Sequence, residues 1–461
     1  MFSRASDPAG VLRWSGVRYR FRESLFQLPA LLVVAGIVLA EVTARLDEAW
    51  PGAADGPWTL SIGSTAATWL LSTVAGAMIT TAGVVFSLTV VSLQLASSQF
   101  SPRVMRSFIR DRLSQVVIGL LVATFTYCVL TLRHVDEESA RDAPALSLTT
   151  AVVLTVVTVL LIIAHLNHLA GRLQVGQVVR AIAEEGEETL AAMARQTAWE
   201  RSSGAMVDTE DAAEHDVTSL DPQALHVLAE RDGWVTQAST RLLLRAVPPG
   251  STVRLETRTG AYVHEGEVLA SVTPRPDDVR RVTRAVAATV TVDEVRTMQQ
   301  DVDFALRQLV DVGLRALSPA VNDPTTAVEV VLRVGGLVRR LLAVDPPATA
   351  VRGDGDRLLL RPWVLTHEEY VGHAFDQLRQ SAGSQTQVLA ALMRTLRMLV
   401  AHAEQVDRTD RVPALEEQLR LVTESVERAD LAPADRERLL AVRADRTDPA
   451  EHVTARQPPG R

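Results

Sequence analysis

The side chains best suited to bind a small charged ligand lie in the run of residues 296–327. Its first part has apolar residues at a helical period, and a Ser-Pro pair at 318–319 ends that helix. Asp323 then precedes Pro324, the order of an N-cap and a first helical proline, so a second helix should run to about Ala343. Backbone N–H groups at a helix start can receive a small anion. The candidate ligand-binding residues are Asp311, Arg315, Asn322, Asp323, Thr325 and Thr326. The alternative, which the sequence leaves open, is that this turn only caps the helix.

Other kinds of chemistry lack the residues that they need. All 47 basic residues are arginine, which excludes a Schiff-base or lysine-base mechanism. Cys128 is the single cysteine, so an intramolecular disulfide and a cysteine-based zinc site are excluded. His367 and His373 do not have the spacing of a zinc-peptidase helix, in which the two histidines stand four residues apart. We therefore predict no catalytic residues, no metal and no cofactor, and an enzyme acting at the membrane surface is the disfavoured alternative.

A second candidate site lies in an apolar stretch that continues from Trp69 to Phe100. A helix of this length exceeds a hydrocarbon core of about 30 Å, and it is rich in small and hydroxyl residues. Helices of this kind pack tightly against other helices or line a polar path. The candidate pore-lining residues are Ser72, Gly76, Thr80, Gly83, Ser87 and Gln94. Because four helices enclose little space, a channel would require homo-oligomerisation.

The elements that position these residues begin with four apolar stretches of bilayer-spanning length, each near or above the roughly 20 residues that a helix needs. They cover about 25–44, 66–96, 116–132 and 148–169, which predicts a transmembrane domain over 25–172. Arginines crowd the segment 1–24 and the link between the second and third stretches, whereas the other two links are acidic. By the positive-inside rule, both termini are expected in the cytoplasm.

The remaining chain predicts a cytoplasmic α+β domain over 173–430, with a β-rich module at 225–273 and a mobile tail at 431–461. The fold class is therefore mainly α, with the four-helix transmembrane domain first. The phrase from Gly260 to Val272 resembles the turns and strands of biotinyl- and lipoyl-type domains, but it has no carrier lysine. We interpret it as a scaffolding module.

Three phrases are similar to a known family. They are TTAGVVFSLTVVSLQLASSQFSPRVMRSFIRD at 80–111, HLNHLAGRLQ at 165–174 and RTMQQDVDFALRQLVDVGLRALSPAVNDPTTA at 296–327. In this order they resemble the bacterial membrane-protein family known as domain of unknown function 2254. One departure is His165-Leu-Asn-His168, where relatives usually have adjacent histidines. The resemblance implies a multi-pass protein of the bacterial inner (plasma) membrane, and it brings no established activity.

Two hypotheses of function follow. In the first, the cytoplasmic domain of a non-enzymatic membrane protein binds a small ligand or a protein partner and couples it to the helices. In the second, the chain forms an oligomeric channel lined by the second helix. The expected partners are the lipid bilayer, further copies of the chain and an unknown small ligand or protein. The net charge of −8 gives no sign of nucleic-acid binding.

Overall fold

The computed structural model describes residues 27–49, 59–60, 62–99, 112–135, 143–172, 174–202, 205–207 and 223–444. The chain divides into two compact units, one within Trp14–Gln177 and the other within Val178–Arg461. We call them the N-terminal unit and the C-terminal unit. The predicted basic segment 1–24 and residues 445–461 of the predicted mobile tail lie outside the described residues.

The N-terminal unit contains the four predicted apolar helices, and each is long and apolar enough to cross a membrane. Their bounds are α1 Gln27–Ala49, α2 Ser64–Gln99, α3 Arg112–Leu132 and α4 Ala145–Arg172. Most extend a few residues beyond the apolar stretch because a helix does not stop where hydropathy falls. Asp47, which the sequence suggested for a link, is therefore the third residue from the end of α1.

Helix α3 forms the centre of this unit and packs against the other three helices. Half of its apolar span is buried within the unit, against 22% for each of the others. Glycine allows its close approach to α1: a Cβ at Gly119 would lie 2.7 Å from the Cα of Pro29. Small residues at such a crossing allow tight van der Waals packing between apolar helices.

Polar side chains connect three of these helices. The Tyr127 hydroxyl forms hydrogen bonds with the Thr43 hydroxyl and the Ser147 carbonyl, each at 2.9 Å. The Asp47 carboxylate accepts hydrogen bonds from the N–H groups of Leu146 and Ser147, also at 2.9 Å. These N–H groups lie in the first turn of α4, where no helical carbonyl can accept from them. Asp47 thus caps a helix about a hundred residues away in sequence.

The C-terminal unit contains nine described α-helices and eight described strands. Its helices are α5 Val175–Ser202, which starts just before the unit boundary, α6 Thr240–Ala246, α7 Val279–Ala287, α8 Val302–Ala316, α9 Pro324–Leu341, α10 His367–Ser381, α11 Thr386–Gln405, α12 Val412–Arg428 and α13 Pro433–Ala444. Its strands are β1 Leu225–Leu228, β2 Gly233–Ala238, β3 Thr252–Leu255, β4 Tyr262–Val263, β5 Val268–Thr273, β6 Val290–Asp293, β7 Ala350–Gly353 and β8 Arg357–Leu360. The prediction of a mainly α fold with a small β-rich part is confirmed.

The strands form two small sheets, which extend beyond the predicted module at 225–273. One sheet has the order β1-β5-β3-β8-β7, and the other has the order β4-β2-β6. All pairs are antiparallel except β3 with β8. Three strands, β6, β7 and β8, come from outside this module. β6 pairs with β2, β8 pairs with β3, and β7 pairs with β8. The core beside the sheets includes Val235, Leu243 and Val253.

A helical layer forms the rest of the unit, in which α8, α9, α11 and α12 pack in succession and α10 packs against α8 and α12. The helices approach closely at Gly313 on α8, where a Cβ would lie 2.6 Å from a methyl carbon of Leu378. Within the segment 431–461, for which a mobile tail is predicted, the structure forms α13. This helix packs against α11 and α12 and buries Leu439.

Candidate functional site

The predicted ligand-binding turn at 318–326 folds as a helix cap. Asn322 has a φ of +47°, and its N–H donates to the Ser318 carbonyl at 2.8 Å. One oxygen of the Asp323 carboxylate accepts from the N–H of Thr326 at 3.1 Å, and the other accepts from the Thr326 hydroxyl at 2.6 Å. These hydrogen bonds hold the pKa of Asp323 below its usual value. The first-turn donor that could have held an anion is therefore occupied by this side chain.

The other candidates around this turn also have partners or lie at the surface. Asp311 and Arg315 are half-buried on α8, and each interacts with other groups of the chain. The Asn322 side-chain oxygen accepts from the Gln385 amide at 3.0 Å, and Thr325 is exposed. The structure thus brings the six residues to one end of α8, where ligand binding stays a prediction.

The six candidate pore residues of α2 share one exposed face of the helix. Ser72, Gly76, Thr80, Gly83, Ser87 and Gln94 are all exposed. The opposite face is buried within the unit through Leu71, Ala75 and Met78. A Cβ at Gly76 or Gly83 would have no neighbour within 4 Å. The six residues therefore do not line a path between the four helices of one chain.

A buried ion pair lies at the end of α5. The Glu200 side chain is fully buried, and its carboxylate lies 2.8 Å from the guanidinium of Arg361, which is also buried. Arg361 donates as well to the Thr240 hydroxyl at 3.0 Å and to the backbone carbonyl of Ala348. Gln196 donates to the same Thr240 hydroxyl at 3.1 Å. This network joins α5, α6 and the segments on both sides of β7 and β8.

A second buried cluster surrounds the start of α8. Arg296 donates to Asp301 at 2.7 Å and to Asp303 at 2.8 Å, and His373 lies 2.7 Å from the other Asp303 oxygen. Burial alone would raise the pKa of Asp303, but its hydrogen bonds to His373 and Arg296 and their charges hold it far below its usual range. Gly260, at a φ of +81°, lies so close that a Cβ would overlap the Asp301 carboxylate.

Between these two clusters is a cavity of about 250 Å³. Its wall is formed by α5, α6, the segment after β3, the segment before α8, and the loop and helix that follow β8. The polar residues of the wall are Thr189, Gln196, Thr240, Thr257, Arg258, Thr259, Gln299, Gln300, Asp301, Arg361 and Tyr370. Small-molecule sites are concave and combine an apolar lining with a few convergent polar groups, and this wall contains both kinds of residue. We take it as the candidate functional site.

One polar group of this wall is unsatisfied. The Thr257 side chain is 6% exposed, and its hydroxyl has no hydrogen-bond partner among the described residues. By contrast, the Thr240 hydroxyl, which also lines the cavity, takes part in bonds with Gln196, Arg361 and Glu200. A buried hydroxyl without a partner is costly, so Thr257 and Thr240 differ in what they contribute to stability.

Sequence inspection missed this cavity for a clear reason. Its wall combines segments from Thr189 to Tyr370, and no two of the segments share a helical or strand spacing. The sequence contains two phrases that contribute to the wall, one at Gly260 and one at 296–303, but it does not show that the structure brings them into contact.

His367 and His373 have different partners. His367 contacts the Val344 carbonyl, and His373 contacts Asp303. Within the described residues, no group of three or more His, Cys, Asp or Glu could hold a metal ion.

Four apolar helices followed by a mixed unit with a polar cavity define a membrane protein with four candidate spans. The chain belongs to the family described as Predicted membrane protein (DUF2254), whose model matches residues 22–398. It is similar to uncharacterized proteins of Mycobacterium tuberculosis and Mycobacterium bovis, with 32% identity over 403 residues, covering 85% of this chain and 74% of each relative. No solved structure matches. The predicted family is confirmed.

Proposed function

We propose that this chain is a non-enzymatic, multi-pass membrane protein whose C-terminal unit binds a small polar ligand in the cavity between Glu200–Arg361 and Asp301–Asp303. The observation that carries the proposal is the buried Thr257 hydroxyl, which has no partner among the described residues although it lies in a polar wall. An unpaired buried hydroxyl costs about 1–3 kcal/mol. A ligand that forms a hydrogen bond with this hydroxyl removes the cost.

Helix α5 gives this proposal a route to the membrane helices. Thr189, Met193 and Gln196 line the cavity at successive turns of α5. The same helix starts at Val175, three residues after α4 ends at Arg172. We propose that ligand binding biases the position or stability of α5, and that the chain transmits this change directly to α4. A ligand acts in this way only through a difference in affinity between two states.

The test compares two threonines that line the cavity by replacing each with valine, which has nearly the same shape. Thr257→Val removes a hydroxyl without a partner, so the full chain in detergent micelles should become more stable by about 1 kcal/mol. Thr240→Val is the matched control. It leaves donors of Gln196 and Arg361 unpaired, so stability should fall by about 1–3 kcal/mol. Urea unfolding followed by tryptophan fluorescence measures both changes.

The signs of these two changes decide the proposal. A gain in stability for Thr257→Val and a loss for Thr240→Val support the proposal that the Thr257 hydroxyl is available to a ligand. A Thr257→Val variant that loses as much stability as Thr240→Val would mean that the hydroxyl is satisfied in the free protein, and the proposal would fall.

The oligomeric channel is the second candidate function, and the exposed face of α2 favours it. Small and hydroxyl side chains on an outward helix face allow close approach of a further copy. Gly83→Trp would place a bulky group there, with Val84→Trp as the control one position away and also exposed. We expect ion flux in liposomes and disulfide-free crosslinking of copies in the wild type and the control, but not in Gly83→Trp. Absence of flux and of crosslinked species in the wild type would exclude the channel.

We also propose that the protein lies in the bacterial inner membrane with both termini in the cytoplasm. The arginines of the segment 1–24 and of the link at 100–111 support this orientation. Fusions of alkaline phosphatase, active only outside the cytoplasm, should be inactive at the C-terminus and active when inserted in the link at 50–58. The reverse pattern would invert the topology.

A further inference from the structure

The charges around the cavity are not equally available to a ligand. The Arg361 guanidinium uses its donors on Glu200, on Thr240 and on the Ala348 carbonyl, which receives bonds from two of its nitrogens. These bonds account for all five N–H groups of an arginine. Its charge is also balanced by the Glu200 carboxylate. Arg361 is therefore a structural group of the wall, without a free donor for a ligand.

The one acid of the wall is also committed. Asp301 is 4% exposed and accepts two bonds from Arg296, at 2.7 and 3.2 Å. One of its oxygens also accepts the N–H of Phe304 and so caps α8. Since the charge and the acceptor sites of Asp301 are met by these groups, the acid does not make the cavity anionic.

Arg258 differs from Arg361 and Asp301 because most of its hydrogen-bond donors have no partner within the described residues. Its hydrogen bond within the described residues goes to the neighbouring Thr259 carbonyl at 3.1 Å, and no described carboxylate lies within 4.0 Å of its guanidinium. The side chain is half-buried and lines the cavity next to Thr257. Because an arginine has five donors in a planar fork, most of this fork is left for an acceptor that is not part of the chain.

Tyr370 supplies a neutral donor on the same wall. Burial raises the pKa of its phenol well above the usual value, and the nearby charges of Asp301 and Asp303 act in the same direction. The positive charge of Arg258, which lines the same cavity, acts in the opposite direction and lowers this pKa. The phenol thus stays protonated at neutral pH and can donate a hydrogen bond to an anion.

We propose that the ligand is a small molecule with an anionic group, a carboxylate or a phosphate, which the Arg258 guanidinium binds while the Thr257 and Tyr370 hydroxyls donate to its oxygens. This inference rests on the proposed function, since it specifies the ligand of the same cavity. Planar bidentate binding of an oxyanion is the interaction for which a guanidinium is best shaped. A volume of about 250 Å³ limits the ligand to metabolite size.

The experiment titrates the full chain in detergent micelles with inorganic phosphate, with succinate and with neutral succinamide, at constant ionic strength set by sodium chloride. Isothermal titration calorimetry and the shift in unfolding temperature report binding. We expect saturable binding of phosphate or succinate and none of succinamide. Arg258→Gln should lower the affinity for the anion by at least tenfold. Arg245→Gln, an exposed arginine on α6 outside the cavity wall, should leave it unchanged.

Placement in the cavity has its own control pair on α5. Ala192→Trp should block anion binding because Ala192 lines the cavity, whereas Ala191→Trp, which is exposed and not part of the wall, should preserve it. Phosphate binding without succinate binding would assign a phosphate ligand, and the opposite result a carboxylate. Both support the inference.

Three results would overturn the inference. One is anion binding that persists in Arg258→Gln, and another is the absence of any response to phosphate and succinate. In the third, succinamide binds as tightly as succinate and Ala192→Trp blocks both. The cavity would then bind a ligand without selecting for an anionic group. Failure of the proposed function is separate, since it appears as a loss of stability in Thr257→Val.

Discussion

The two walls of the cavity are built from the same kinds of residues and differ in how their polar groups are partnered. On one wall, Arg361 and Thr240 are satisfied almost completely by each other and by the buried Glu200 carboxylate. On the other, the Thr257 hydroxyl has no partner within the described residues, and the Arg258 guanidinium has only a neighbouring carbonyl. Composition alone would assign Arg361 and Arg258 the same role.

The difference teaches that a charged residue in a cavity is a candidate ligand contact only after its internal bonds are counted. A buried arginine with a carboxylate and several hydrogen-bond acceptors holds segments of the chain together. An arginine that lines the cavity without an acid partner, such as Arg258, is the one to which we assign ligand binding. The satisfied wall should therefore respond to mutation by loss of stability, and the unsatisfied wall by loss of binding.

The largest effect is expected from breaking the satisfied wall. Glu200→Gln keeps the shape of the side chain but leaves the buried Arg361 charge uncompensated, which should cost about 3–5 kcal/mol of unfolding free energy. Arg361→Met should cost a similar amount for the converse reason. Urea unfolding of the full chain in micelles measures each change.

The double variant Glu200→Gln with Arg361→Met sharpens this prediction. Because no buried charge remains, most of the lost stability should return. If the two single changes instead add in the double variant, the pair does not act as a unit, and the contrast between the walls disappears.

A smaller effect is expected at the second cluster, which adjoins the unsatisfied wall. Asp303→Asn removes charged hydrogen bonds to Arg296 and His373 and should cost about 2–3 kcal/mol near neutral pH. Asp356→Asn, at an exposed carboxylate paired with Arg352, is the matched control and should change little.

The pH dependence of this effect has a definite sign. The folded-state pKa of Asp303 is lowered, so its contribution is complete above the unfolded value of about 3.9 and is lost as the pH falls through the folded value. The groups that face it are Arg296, His373 and Arg307, with the Asp301 and Tyr370 side chains close by. The stability difference between the wild type and Asp303→Asn should hence shrink below about pH 4. A difference that grows on acidification would contradict the assignment.

The smallest effect is expected at the turn before α9, where a polar group is satisfied locally rather than by distant segments. Asp323→Ala removes the cap and should cost about 1 kcal/mol, whereas Asp323→Asn, which can still accept the Thr326 N–H, should restore most of it. Thermal unfolding in micelles measures both. If Asp323→Ala left stability unchanged but abolished a response to inorganic phosphate, the turn would be a ligand site instead of a cap.

The elements that sequence inspection predicted well depend on neighbours in sequence. Four apolar stretches long enough to span a bilayer predict four helices because each helix satisfies its own backbone hydrogen bonds. Asp323 followed by Pro324 predicts a helix start because the cap bonds within three residues. The limits of such patterns appear at Asp47, where the acid expected in a link caps α4, and at α13, where a charged segment packs as a helix.

The cavity is what the tertiary structure alone decided. The partners of Arg361 include Glu200, which is 161 positions away, and Thr240, 121 positions away. With every basic residue an arginine, the residue type gives no indication of which guanidinium is neutralised. Local spacing thus determined the helices, the caps and the family phrases of this protein. The folded chain decided which polar groups satisfy one another and which, at Thr257 and Arg258, do not, because burial and pairing depend on segments that meet only after folding.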